Sequence, residues 1–175
     1  TENTGSANKV WVLERDKMLN GDPNAQVVAF NLPGIVTSGF HSPQALNVTD
    51  DNMPAAGGAT IVYMQDDAWS GVSNDHIKLW TVDMNWSNTS SSTVSSPQEI
   101  PTTPFIGVFD NGSFSNLLQP GNGRKIKIDA LQATIMNQAQ FRKFANHSSA
   151  VFNFVVDTDA SSGKRAGVRW YEFRQ

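Results

Sequence analysis

The chain has 175 residues, 13 basic and 16 acidic side chains, a formal net charge of −3 and no cysteine. That length fits one well-buried domain, the missing thiols exclude a disulfide framework, and basic residues clustered only at Arg124, Lys125 and Lys127 argue against a nucleic-acid surface. Charged residues make up 17% of the chain, below the usual quarter, and Ser, Thr, Asn and Gly are abundant, which points away from a coiled coil or an acidic tail and toward a β protein with many turns.

The opening TENTGSANK lacks the basic-then-apolar order of a signal peptide, and no run of about 18 apolar residues occurs. The expectation is a chain without membrane insertion whose leader has been removed. The first predicted unit, residues 10–32 (VWVLERDKMLNGDPNAQVVAFNL), reads as strand, polar turn, strand. Residues 77–99 and 151–173 align with it without gaps, the second starting 67 residues on (77 against 10) and the third 74 further on (151 against 77).

In this frame Asp16, Asp83 and Asp157 share a column, as do Val27, Val94 and Val168, while Leu13, Trp80 and Phe154 fill a bulky apolar column. Strands alternate faces with period two, so a repeated apolar column followed by a polar break is what stacked hairpins need to keep register. The likeness reaches back to Ala59-Thr60-Ile61 and Ala133-Thr134-Ile135, again 74 residues apart. Each of the last two units then reads as about four strands, with 97–100 or 126–131 supplying the further partner.

Residues 129–144 carry Leu131, Ile135, Met136 and Ala139 at helical spacing. The repeat favours a strand there, and strand is the reading adopted.

The predicted fold is all-β, a partial β-propeller-like array of four-stranded units in a single domain over 1–175, with a β-sandwich as the alternative. The first copy has only its hairpin, and two and a half blades do not close a ring. The expected partner is a companion chain, or an upstream part of the same protein, that completes the array.

Gln119-Pro120-Gly121, Ile128 to Leu131, Gln140-Phe141-Arg142-Lys143-Phe144 and Gly167 to Arg174, with Gln65-Asp66-Asp67, Asp75 to Trp80 and Asp83-Met84-Asn85-Trp86 upstream, carry a resemblance over roughly 10–174. The chain resembles the C-terminal part of large secreted bacterial proteins with propeller-like repeats and no assigned activity. That resemblance implies export to the cell surface or medium, and more blade-like sequence before this portion.

A glycan-active hydrolase needs two carboxylates, or a Tyr–Glu pair with arginines, converging on one cleft. Arg142, Arg169, Tyr171 and Glu172 are the catalytic candidates, with Asp66 and Asp67 as acid or base. On one strand Arg169 and Tyr171 face one side and Trp170 and Glu172 the other, so the favoured reading is structural: Trp170 and Phe173 pack between blades while Arg169 and Glu172 satisfy backbone groups or form ion pairs.

No cofactor is expected. Calcium would draw on acidic turns, with Asp66 and Asp67 the candidate ligands beside Asp50-Asp51-Asn52 and Asp157-x-Asp159, although none has calcium-loop spacing. His41, His76 and His147 lack zinc-ligand spacing, and the glycine pairs at 57–58 and 121–123 open no phosphate loop.

Trp80 aligns with core positions, whereas Trp69 and Trp86 lie beside polar turns and are the candidates for ligand contact. Sequons stand at Asn47, Asn85, Asn88, Asn111 and Asn146. The expected function is an extracellular structural or interaction module without an assigned reaction; the alternative is a carbohydrate-binding or glycan-degrading propeller.

Overall fold

A computed structural model describes residues 2–3, 8–36, 43–54, 58–109, 117–119, 121, 126–159 and 165–175. Arg124, Lys125, His41, Asn111, Gly57, Pro120, Gly123 and residues 160–164 lie outside the described residues. In chain order the elements are β1 (Glu2–Asn3), β2 (Asn8–Leu13), α1 (Arg15–Leu19), β3 (Val27–Asn31), β4 (Gln44–Ala45), β5 (Asn47–Val48), β6 (Ala59–Gln65) and β7 (His76–Asp83). There follow β8 (Thr93–Val94), β9 (Gln98–Pro101), β10 (Leu117–Leu118), β11 (Lys127–Ile128), β12 (Gln140–Lys143), β13 (Ser148–Asp157) and β14 (Ala166–Arg174).

The fold is all-β, and its sheets do not close on themselves among the described residues. The first sheet has the order β1-β2-β3, the central sheet β4-β6-β7-β8 with β9 also on β7, and the C-terminal sheet β14-β13-β12-β5; β10 and β11 pair separately. All pairings are antiparallel except β5 with β12.

The central sheet is covered on both faces, and β6 is accordingly apolar without a break from Ile61 to Met64. Alternation sends Ile61 and Tyr63 into one core with Val10, Leu32, Trp80 and Val82, and Val62 and Met64 into another with Ile77, Ile135, Phe152 and Phe154. A continuous apolar strand is what a position between two layers requires.

Two polar side chains of β7 strap the first sheet to the central one. Trp80 Nε1 donates to the Pro33 carbonyl at 2.9 Å, and the buried Lys78 Nζ donates to the Gly34 carbonyl at 2.6 Å while meeting Glu99 at 2.9 Å. At the other interface the chain switches sheets at Leu46: its N–H donates to Thr60 O of the central sheet, and the next N–H, of Asn47, to Ala139 O beside the C-terminal sheet. Such a switching strand joins two sheets at a corner.

All three predicted hairpin positions hold antiparallel strands, and the central sheet gains β9 close to the expected 97–100. Other expectations are corrected. Leu13 is 46% exposed while Trp80 and Phe154 are buried, because the first hairpin turns Val10 and Val12 inward, one residue out of phase with Phe152 and Phe154 of the third, and the second is buried on both faces. The break between its strands contains the short helix α1.

Residues 133–138 form no strand. Leu131 and Ala133 adopt positive φ (50° and 58°), which interrupts an extended chain, and Ile135 makes an isolated bridge to Phe154. The segment 126–131 does not join the C-terminal sheet either, since β11 pairs with β10. Trp170 is 65% exposed rather than packed between sheets, whereas Phe173 does pack against the core.

Candidate functional site

The turn after β6 begins with a carboxylate that holds its own loop. Asp66 accepts the N–H of Ala68 at 2.8 Å on Oδ1, and its Oδ2 accepts the N–H of Gly107 at 2.5 Å. Asp75, just before β7, mirrors it by accepting from Asp67 N–H at 2.8 Å and Phe105 N–H at 2.5 Å. These two buried carboxylates close the β6–β7 turn and dock the 102–109 segment upon it.

Asp66, Asp67 and Asp75 each offer a carboxylate oxygen within 4.8 Å of the others, the ligand type calcium takes. The oxygens of Asp66 and Asp75 already receive backbone N–H groups, which accounts for their burial without a cation. Burial pushes the Asp66 carboxyl above its ordinary value, opposed by the N–H groups of Ala68 and Gly107.

Trp69, in the same turn, is half-buried and packs against both cores, 6.1 Å from the Tyr63 ring. Trp86 is half-buried too, and its carbonyl accepts from Gln26 Nε2 at 3.3 Å. The large exposed indoles among the described residues are those of Trp11 and Trp170.

The four catalytic candidates do not converge. Arg169 and Tyr171 point inward, with the guanidinium over the Phe105 and Tyr171 rings and hydrogen-bonded to Pro104 O and Thr103 Oγ1. The Tyr171 hydroxyl is buried without a hydrogen-bond partner among the described residues. Arg142 is largely exposed, 3.6 Å from Asp50.

Glu172 lies on the opposite face from Tyr171. It accepts from Ser149 Oγ at 2.6 Å and from Arg174 Nε and Nη2 at 2.8 and 3.1 Å, and these bonds, Arg174 foremost, hold its carboxyl below the ordinary value. A carboxylate fixed in this way by a bidentate arginine is an ion-pair partner and a poor proton donor.

A cleft of about 1140 Å³ opens between the central and C-terminal sheets, where β6 begins and β14 ends. Leu46, Val62, Leu79, Ile100, Phe152 and Phe173 form its apolar floor. Ser95, Gln98, Ser148, Glu172 and Arg174 supply polar groups. Sequence reasoning reached only Glu172 as a site candidate and Phe173 as a packing residue, because a cleft between sheets is assembled from seven strands and leaves no local spacing signal. Asp75 was equally hidden, being a single acid before a strand.

No family model, curated protein or solved structure matches the chain.

Proposed function

We propose that the chain is an extracellular structural and interaction module, one part of a larger assembly of β-sheets, and not a catalyst. The supporting observation is that both outer layers present large apolar side chains outward: Trp11, Leu13 and Val27 on the first sheet, and Val151, Val168 and Trp170 on the C-terminal one. Clustered exposed apolar groups mark contact surfaces.

Three sheets stacked face to face, in chain order apart from β5, are also how successive propeller blades lie, which supports the propeller-like reading of the array. The partner that suits these faces is a further sheet, from a companion chain or another part of the same polypeptide. Low charge and the resemblance to secreted bacterial proteins support a place outside the cell.

The test is the native mass of material from its own source, by light scattering with peptide mapping of what co-elutes. A complex well above the 19.1 kDa chain mass is expected. A lone chain of that mass, with no co-eluting β-sheet partner, overturns the reading.

The cleft favours a second reading, a carbohydrate ligand held by hydroxyl and amide groups over an apolar floor, since its volume is of the order of that of ligand sites, slightly above their usual range. Glycan-array binding that is lost in Phe173→Asp would support it; an array without signal would remove it.

A further inference from the structure

β14 is the terminal strand of its sheet, nine residues long, and its only strand partner among the described residues is β13. The register fixes which of its backbone groups are free. Ser148 and Gln175 exchange both N–H to carbonyl bonds, and Thr158 N–H donates to Arg165 O, so the odd-numbered residues from 165 to 175 are those bonded to β13. Ala166, Val168, Trp170, Glu172 and Arg174 therefore aim N–H and C=O out of the sheet at its open edge.

Natural edge strands are commonly blunted by proline, lysine or a bulge. β14 has none of these, and the charged side chains on its open residues, Glu172 and Arg174, are paired with each other at one end: its pairing with β13 runs unbroken for nine residues, and the middle of its open edge is Val168 and Trp170, 70% and 65% exposed.

The geometry points to a second copy of this chain as the occupant, its β14 lying antiparallel along this one about a two-fold axis at Trp170. This assignment rests on the reading of the chain as an interaction module and names one contact. The register centred on Trp170 uses all five open residues of each strand: 166 faces 174 of the partner, 168 faces 172, and 170 faces itself, with two hydrogen bonds per facing pair. It sets Val168 beside the partner's Glu172 and Arg174 beside the partner's Ala166, so no like charges meet. A register centred on Glu172 keeps three pairs and sets two carboxylates opposite one another. The contact is isologous, so it closes at two copies.

The test is a charge swap at the two-fold position in the full chain. Light scattering of the parent should show mass rising with concentration toward twice 19.1 kDa. Trp170→Lys and Trp170→Glu should each stay monomeric alone, and an equimolar mixture should regain the dimer. Trp170→Pro should also abolish pairing while keeping its circular dichroism, because that N–H takes no part in the β13 ladder. A parent that stays monomeric at its solubility limit overturns this assignment while leaving a larger native assembly with other chains intact. Variants that dimerise separately as well as the parent overturn it too.

Discussion

The Asp66 carboxylate accepts the N–H of Gly107 across 41 positions of chain, at 2.5 Å, and so pins the 102–109 segment to the turn that ends β6. Gly107 is buried, and its N–H has no water to turn to if the acceptor is removed. Asp66→Ala should destabilise the fold by about 1–3 kcal/mol, the cost of one buried unsatisfied donor, with Asp66→Asn milder because one acceptor oxygen survives. Urea unfolding at constant m-value is the measurement; an unchanged midpoint for Asp66→Ala would show that the strap carries no load.

Two other buried polar groups predict the opposite sign. Gln65 is fully buried with neither end of its amide hydrogen-bonded among the described residues, and the Tyr171 hydroxyl is in the same state. Gln65→Leu and Tyr171→Phe remove groups whose desolvation is uncompensated, so each should raise stability, by about 1 kcal/mol or more for the glutamine. Calorimetric midpoints above the parent's are the expected result. A fall for Tyr171→Phe would mean that the hydroxyl has a partner and would return it to consideration as a functional group.

Acid should act on the fold through groups of opposite sign. Glu99, bonded to Lys78, and Glu172, bonded to Arg174 and Ser149, have folded values below the ordinary 4.5. Their contribution is present above that value and is lost as pH falls through the lowered folded ones. Asp66 is raised above 3.8 by burial, so its contribution is greatest at low pH and is lost as pH rises through its folded value. Stability should therefore fall below about pH 4.5 as Glu99 and Glu172 protonate, with the proton taken up by Asp66 offsetting part of that loss. The double variant Glu99→Gln with Glu172→Gln should flatten the fall, and Asp66→Asn should steepen it.

What could be read from the sequence was the local unit. The pairing of Ile61 with Trp80 recurs 74 residues later as the bridge of Ile135 with Phe154, so the repeat preserved a contact even where it did not preserve a strand. The strand failed at 133–138 because the positive φ of Leu131 and Ala133 is a backbone choice that residue type did not signal. Leu13 misled because an ungapped alignment does not register a one-residue change of phase, which exchanges the two faces of a strand. Arg169, Tyr171 and Glu172 were rightly divided between faces by period-two alternation. Asp75, Gly107 and the cleft depend on segments far apart in the chain, and no spacing rule reaches them.

Gly58 meets the central sheet where β6 begins. Its φ is +106°, and a Cβ built there would lie 2.5 Å from the Val82 carbonyl oxygen and 2.8 Å from Thr81 Cγ2. The nearer obstacle is backbone of β7, which is fixed by pairing with β6 from Val82 to His76 and cannot swing aside as a side chain would. Gly58→Ala should then cost both the strained conformation, on the order of 1–3 kcal/mol, and a displacement of β7 at its Val82 end. By contrast Gly21, at φ +66° with nothing within 4 Å of its Cβ position, should show the conformational cost alone when changed to Ala. Thermal unfolding of the two variants side by side separates strain from steric overlap: the loss at Gly58 should exceed that at Gly21, and equal losses would show that β7 is free to yield there.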